Sequence, residues 1–287
     1  MGADIDVNIE TSTAFADAFY SGVQLVASYM EERFDLINSV LAKSSTPHRD
    51  NAIKGLWFRE LAWMQSLAKL NHARHFQAMA TANLALIEMT VDLLLLYTDK
   101  SNESGWKIHQ WAESEKLRAA TNIINYFAPG PIPGDFQVQE NFYKNNKVMI
   151  EQTREQLWGS SRHPPRWTGR ANLFEDVKEV DNVQGSAINS DLGMPLTQYY
   201  RAEYSRMNWQ IHSGLAAVGG VPPEIFNVVA ALSLKWCADL AMFCTKIVLY
   251  DFGLRDALPR LSTEWDKVKR DRTMVYKEKM DPVRQGE

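Results

Sequence analysis

The sequence predicts an all-α protein, most simply a helical bundle with an irregular Pro- and Gly-rich insertion at residues 128–195. Apolar residues recur at spacings of three and four through most of the chain, which is typical of amphipathic helices. Strand signals are nearly absent, because no Asn-Gly or Asp-Gly hairpin occurs and alternating β-branched runs are few. The 287 residues suffice for one large core or two smaller ones.

The predicted helices follow from this periodicity in chain order. The first, 11–41, places Phe15 and Phe19 on one apolar stripe, and the second, 50–70, is anchored by Trp57. Later periodic segments predict helices at 71–97, 106–127, 137–158, 172–180, 196–218, 222–250 and 262–280.

Breaks in the periodicity separate these helices. The clearest is APGPIPGD at 128–135, where Pro and Gly dominate. Residues 159–170, GSSRHPPRWTGR, are the least regular, and a turn-rich passage is expected from 181 to 195. A Gly-Gly-Val-Pro-Pro run at 219–223 ends the helix that begins at 196.

Composition excludes some function classes. The net charge of −4 and the pI of about 5.9 give no global positive potential of the kind found in proteins that coat nucleic acid, although a local site for a few phosphates remains open.

Cys237 and Cys244 lie about 10 Å apart on one apolar helix, so buried thiols are expected rather than a disulfide. The N-terminus lacks signal-peptide features, and charged residues in the two most apolar runs favour buried helices over membrane spans. We expect a cytoplasmic protein.

Metal and nucleophile motifs are missing from the sequence. No Glu-x-x-His, His-Glu-x-x-His or Cys-x-x-Cys pattern occurs, and His72 and His75 read as boundary histidines near a helix junction. There is also no Gly-x-Ser-x-Gly, P-loop or Gly-x-Gly-x-x-Gly. The sequence therefore predicts no metal and no cofactor.

The stretch YSRMNWQIHSG, beginning at Tyr204, is the strongest functional signal. On a regular helix Arg201, Ser205, Asn208 and His212 fall within about 60° of one another, a stripe of cation, hydroxyl, amide and imidazole. Arg206 lies about 120° from His212 and would need an irregular helix or a partner subunit to converge with it. A hydrogen-bonded polar seam between packed helices is the structural alternative.

Two further features admit two interpretations each. The arginine-rich loop containing Arg162, Arg166 and Arg170 is either able to order itself around phosphate or an ordinary solvated loop. Glu88 and Asp92 interrupt an apolar helix and are either poised near a site or part of its polar seam.

Several of these residues resemble the sequence pattern of a known superfamily. Arg206 and His212 fit the Arg-x4–6-His pattern of the HEPN superfamily, and the chain more closely resembles a bacterial all-helical family of unknown function placed near HEPN. The shared features cover roughly residues 70–250 and are Trp167-Thr168-Gly169, Tyr204, Asn208, His212-Ser213 and Glu88. That family commonly has an arginine seven residues before the His, where this chain has Ser205.

The resemblance implies a HEPN-like core and metal-independent RNA cleavage between two subunits. His212 would transfer protons, Arg206 or Arg201 would clamp the phosphate, and Asn208 would orient the reacting groups. The candidate substrate-binding residues are Ser205, Tyr204, Arg162, Arg166 and Arg170.

The implied organisation has N-terminal helices at 1–70, a HEPN-like bundle with the insertion at 71–252, and a charged C-terminal helix at 253–287. The expected partners are RNA, a second copy of the chain and other protein subunits of a prokaryotic defence or toxin system. The alternatives are a HEPN-like protein that binds RNA without cleaving it and a non-catalytic helical scaffold or sensor subunit that mediates protein–protein interaction, since a fold alone does not imply catalysis.

Overall fold

The computed structural model describes residues 9–212 and 223–284, and every regular element in those ranges is helical. The predicted fold class is confirmed at this level. The α-helices are α1 (Ile9–Glu31), α2 (Phe34–Asn38), α3 (Pro47–Leu67), α4 (Phe76–Thr98), α5 (Asn102–Phe127), α6 (Gln137–Trp158), α7 (Leu173–Leu192), α8 (Leu196–Tyr199), α9 (Ser205–His212), α10 (Pro223–Asp251) and α11 (Ala257–Arg284).

The chain divides into two compact units. Unit 1 comprises the described residues of 1–41, 53–98 and 177–287, and unit 2 comprises 42–52 and 99–176. The sequence-based boundaries at residues 70 and 252 both fall inside unit 1.

In unit 1, α1 packs against α10 and α11, while α4 packs against α10 and α9. Large apolar side chains on these helices are fully buried, Met30 and Phe243 among them, and such burial contributes about 1.5–3 kcal/mol for each side chain. The same core contains a buried hydrogen bond, in which Trp57 Nε1 donates to Thr245 Oγ1 at 2.9 Å. Lys235 and Asp239 form the i,i+4 ion pair that the sequence allows, at 2.9 Å.

Two of these helices, α4 and α10, contain segments long and apolar enough to cross a membrane. Most of each segment is buried within the fold. Core helices of soluble proteins are buried in the same way and have similar length and composition. Length and composition alone do not distinguish the two situations.

A carboxyl group is enclosed in the unit 1 core. Glu60 has no solvent exposure, and neither of its carboxyl oxygens has a hydrogen-bond partner. Burial raises the pKa of Glu60 well above its ordinary value, and a contact with the Cys244 thiol offsets part of this rise. Burial thus favours the protonated form of the Glu60 carboxyl group in the folded protein.

Unit 2 is built on α5 and α6, which pack together as a helical hairpin joined by residues 128–136. Ser101 caps α5 by accepting from the Ser104 N–H, and Gly159 ends α6 with a positive φ of 66°. An αL residue is costly for any side chain with a Cβ, so glycine suits this end.

The expected irregular insertion is smaller than the sequence suggested. The turn-rich passage predicted from 181 to 195 is wrong, because α7 continues to Leu192. Val177, Val180 and Ile188 are buried on the same face of that helix, and tertiary burial outweighs the weak local signal. Non-α-helical backbone remains at 128–136, 159–172 and 193–195.

The first predicted helix is also shorter than expected. It ends at Glu31, and the Arg33 N–H bonds to the Met30 carbonyl three residues back at 3.0 Å. Such i→i−3 bonds tighten the last turn of a helix and commonly terminate it. The short helix α2 then restarts at Phe34.

Candidate functional site

A π-helical segment, Tyr200–Tyr204, interrupts the helix that carries the polar stripe. The Ser205 N–H bonds to the Tyr200 carbonyl, five residues back, which is the π pattern. A π turn accommodates an additional residue, so side chains before it lose α-helical phase with those after it by up to about 100°. The expected alignment of Arg201 with the later residues assumed a regular helix, and that assumption fails at this segment.

The remaining members of the stripe lie on the regular helix α9. Ser205, Asn208 and His212 occupy positions i, i+3 and i+7, which share one face. Ser205 and Asn208 are exposed, and Ser205 Oγ donates to the Tyr200 carbonyl at 3.3 Å. The side chain of His212 lies outside the described part of the structure. A polar and accessible face therefore precedes the histidine.

Arg206 is held by an acid that the sequence reading did not include. Its Nη2 donates to Glu203 in an i,i+3 ion pair, with the carboxylate side chain 13% exposed and the guanidinium 32% exposed. Nε of Arg206 is buried and has no hydrogen-bond partner. Because the irregular segment precedes Arg206, it does not alter the offset of about 120° between Arg206 and His212. Arg201 is exposed.

Glu88 and Tyr204, which are 116 residues apart, meet in the structure. Tyr204 Oη donates to Glu88 Oε1 at 2.7 Å, and both side chains are half-buried. The Tyr200 ring stacks on Tyr204 with centroids 4.7 Å apart. Burial raises the pKa of Tyr200, and the Glu88 charge adds to that rise. Glu88 therefore belongs to the same site as the π segment.

Buried anchors fix this site to the core of unit 1. Tyr199 Oη donates to Asn83 Oδ1 at 2.5 Å, and its ring packs edge-on against Trp236 at 4.8 Å. Met207 is fully buried on α9, where Ser233 Oγ lies 3.4 Å from its sulfur. The residues on either side of the π segment are thus held by packing, while its outer face remains accessible.

The arginine-rich loop in unit 2 is organised around an internal carboxylate. Arg166 Nε and Arg170 Nη1 each lie 2.9 Å from Asp176, which has no solvent exposure. Neither interpretation made from the sequence anticipated this arrangement: the loop is ordered by an acid of its own chain. Arg162 is exposed. The loop arginines and the α9 residues are described in separate units.

A serine, a histidine and a glutamate also meet in unit 2. Ser114 Oγ lies 2.7 Å from His163 Nδ1, and His163 Nε2 contacts Glu115. These are residue types of a hydrolase triad, but Ser114 has no solvent exposure, so substrate cannot reach the hydroxyl in this conformation. The contacts instead attach the loop to α5, and Trp111 adds a bond from Nε1 to the Pro164 carbonyl at 3.1 Å.

Protonation of His163 is disfavoured in this environment. Burial lowers the pKa of His163, the Glu115 carboxylate opposes that effect, and Arg118 and Arg154 reinforce it. No sequence spacing links His163 to Ser114 or Glu115, because they are brought together only by tertiary packing. Sequence reasoning could not have found this cluster.

Both cysteines are fully buried free thiols, as the sequence predicted. Burial raises the pKa of each thiol, which keeps it protonated and unreactive. Among the residues that the structure describes, no three His, Cys, Asp or Glu side chains are grouped so that they could hold a metal ion.

No protein-family model, curated protein or solved structure gives a significant match to this chain. The functional argument therefore rests on the chemistry of the residues in the α4–α9 region.

Proposed function

We propose that the protein is a HEPN-like, metal-independent endoribonuclease of a prokaryotic defence or toxin system, acting as a homodimer. The candidate site, named here the α9 face, comprises Glu88, Glu203, Arg206 and the exposed residues Arg201, Ser205 and Asn208, followed by His212.

The hydrogen bond between Glu88 and Tyr204 carries this proposal. Each residue fits the family pattern separately, one as a mid-helix glutamate and the other as the tyrosine of the histidine-bearing helix. Their side chains bond at 2.7 Å between helices that are far apart in sequence. A shared pattern that converges in space supports a common site better than either motif alone.

The chemistry follows from the residue types on the α9 face. His212 acts as the general base that takes a proton from the ribose 2′-hydroxyl, because imidazole titrates near neutral pH. Attack of the 2′-oxygen on the phosphorus forms a 2′,3′-cyclic phosphate and displaces the 5′-oxygen, which takes a proton from water. An arginine stabilises the charge that develops on the phosphate. Arg206 is oriented by Glu203 and its side chain is 32% exposed, while the Arg201 side chain is exposed. Asn208 orients the reacting groups.

RNA cleavage in EDTA by the wild type and by His212→Ala tests this function. We expect the wild type to cut RNA and the folded variant to lose about a hundredfold or more of the rate, since acid–base groups contribute that much. His72→Ala is the control because His72 is an exposed histidine outside the α9 face. Equal rates for wild type and His212→Ala, with both proteins folded by circular dichroism, would refute the assignment, as would a wild type inert on a pooled cellular RNA.

A scaffold function has one specific observation in its favour. The α5–α6 hairpin leaves large apolar side chains more than half exposed, namely Tyr126, Val138, Val148 and Met149. Val148 and Met149 are consecutive residues, and exposed apolar patches commonly mark protein-binding surfaces. If binding a partner is the main function, Val148→Lys abolishes association in sedimentation velocity with the partner subunit, and His212→Ala leaves it intact. The nuclease proposal expects His212→Ala to eliminate function while association persists.

A further inference from the structure

A cavity of about 710 Å³ lies in unit 1, between residues of α1, the end of α7, α10 and α11. Its volume falls in the range of small-molecule sites, about 300–1,000 Å³. Phe15, Phe19 and Leu192 supply apolar surface, while Ser190 and Thr273 supply hydroxyl groups. The two phenylalanine rings pack edge to face at 4.9 Å.

The charges around this cavity are unequal. Lys235, Lys269 and Arg272 line it together with the carboxylates of Asp191 and Asp239. Asp191 is already bound by Lys246, with Nζ–Oδ distances of 2.8 and 2.6 Å. Asp239 is bound by both Lys235 at 2.9 Å and Arg272 at 2.6 Å. Three cationic side chains thus line the cavity with two carboxylates, and both carboxylates have partners.

Arg272 is the best-positioned of these cations. Its side chain is 10% exposed, and its aliphatic part crosses Gly22 so closely that a Cβ there would lie 2.4 Å from Arg272 Cδ. Asp239 holds Nη2, and Nη1 is buried without a hydrogen-bond partner. An oriented, nearly desolvated guanidinium with an unused donor is matched by a carboxylate or phosphate oxygen.

We propose that this cavity binds a small organic anion, with its carboxylate or phosphate on Arg272 and Lys235 and its apolar body on Phe15 and Phe19. The hydroxyl groups of Ser190 and Thr273 border the same space and select for polar substituents on that body. The site uses none of the residues of the α9 face, so it stands whether or not the protein cleaves RNA.

Binding of 8-anilinonaphthalene-1-sulfonate, an anion with an aromatic body, tests the proposal by fluorescence titration of the full chain. We expect one saturable site in the wild type and a loss of affinity of about tenfold or more in Arg272→Gln, the effect of removing a charged hydrogen bond. Arg270→Gln is the matched control, because Arg270 is an exposed arginine on the same helix that does not line the cavity. Its affinity stays within about twofold of the wild type.

Competition experiments define the ligand class. Benzoate and phenyl phosphate should displace the probe, with the better competitor identifying the preferred anion. Benzyl alcohol, which has the body without the charge, and inorganic phosphate, which has the charge without the body, should displace it poorly.

Lys235→Gln keeps the test decisive if Arg272→Gln does not fold, since Asp239 retains Arg272 in that variant. Weaker probe binding in Lys235→Gln supports the site. Equal binding by wild type, Arg270→Gln and whichever of the two cavity variants is folded would overturn the proposal, and so would displacement by benzyl alcohol as effective as by benzoate.

Discussion

The arginines of the 159–170 loop and those of the α9 face are used in opposite ways. Arg166 and Arg170 both bind one fully buried carboxylate, Asp176, of their own unit. Arg206 binds Glu203, which is itself partly exposed, and keeps an unpartnered Nε, while Arg201 is exposed. Guanidinium groups fixed by a buried acid serve folding, whereas the Arg206 guanidinium, 32% exposed beside a partly exposed acid, can contact a ligand.

The difference originates in burial of the acid. Asp176 must be compensated because an unpaired buried carboxylate is costly, and two arginines meet that requirement. Glu203 remains partly hydrated and binds Arg206 through a single nitrogen. The residue type is the same in both regions, and the location of its partner decides its role.

Replacing the buried acid should give the largest effect. We expect Asp176→Asn to lower the free energy of unfolding by about 3–5 kcal/mol, because it leaves two partly buried guanidinium groups without their counter-charge. Urea denaturation followed by circular dichroism measures the change. Asp135→Asn, at an exposed position of the same unit, should alter stability by no more than about 0.5 kcal/mol. A loss below about 1 kcal/mol in Asp176→Asn would mean that the loop does not depend on this cluster.

Neutralising the α9-face arginine should affect cleavage more than folding. Arg206→Gln is expected to reduce the rate of RNA cleavage about 10- to 100-fold, equivalent to about 1.4–2.7 kcal/mol of transition-state stabilisation. Its stability should change by no more than about 1 kcal/mol, since the ion pair is partly hydrated. Arg166→Gln is the matched variant from the loop and should lose stability without losing cleavage rate at low temperature. Loss of stability in Arg206→Gln together with loss of cleavage in Arg166→Gln would contradict the roles assigned to the two regions.

Acid should weaken the loop through His163. Its pKa is lower in the folded than in the unfolded chain, mainly because of burial, so the unfolded state binds more protons as pH falls below the ordinary histidine pKa. Stability from this residue is therefore complete above about pH 6.5 and declines as pH falls toward the folded-state pKa.

Thermal unfolding of His163→Gln between about pH 7.5 and about pH 5.5 should show a flatter acid dependence than the wild type. His72→Gln, which replaces an exposed histidine outside the loop, is the control variant. Identical slopes in all three proteins would exclude His163 as the titrating group.

The smallest effect is expected at the exposed end of the loop. Arg162→Gln should leave stability within about 0.5 kcal/mol of the wild type, because the side chain is exposed. If this arginine contacts RNA, affinity falls about two- to threefold and the salt dependence of binding decreases by about one phosphate. Filter binding at several salt concentrations checks both. Unchanged affinity and slope would remove Arg162 from the predicted substrate-binding residues.

Sequence periodicity predicted the helical class and several boundaries well. Helix α6 begins and ends at the predicted residues 137 and 158, because its apolar spacing and the Gly159 stop are local signals. The extension of α7 to Leu192 was missed, since it depends on burial of Ile188 against distant residues. Local patterns report helix formation, and tertiary packing decides how far a helix continues.

The sequence predicted only part of the candidate site. The i,i+3 spacing of Glu203 and Arg206 could have revealed that pair, whereas the π segment beginning at Tyr200 has no compositional signature. The partnership of Arg166 with Asp176 spans ten residues, from the non-helical loop into the first turn of α7, and is invisible to a helical pattern. Sequence thus located the polar face and left its geometry to the structure.

The enclosure of Cys237 and Cys244 gives the protein a practical property. Neither thiol is exposed and burial raises the pKa of both, so the native chain should remain unlabelled by maleimide at neutral pH. A single cysteine placed at exposed Asn208 would then be the chain's one reactive handle, with no need to remove the natural pair. A fluorophore or spin label attached there would report directly on what approaches the polar face of α9.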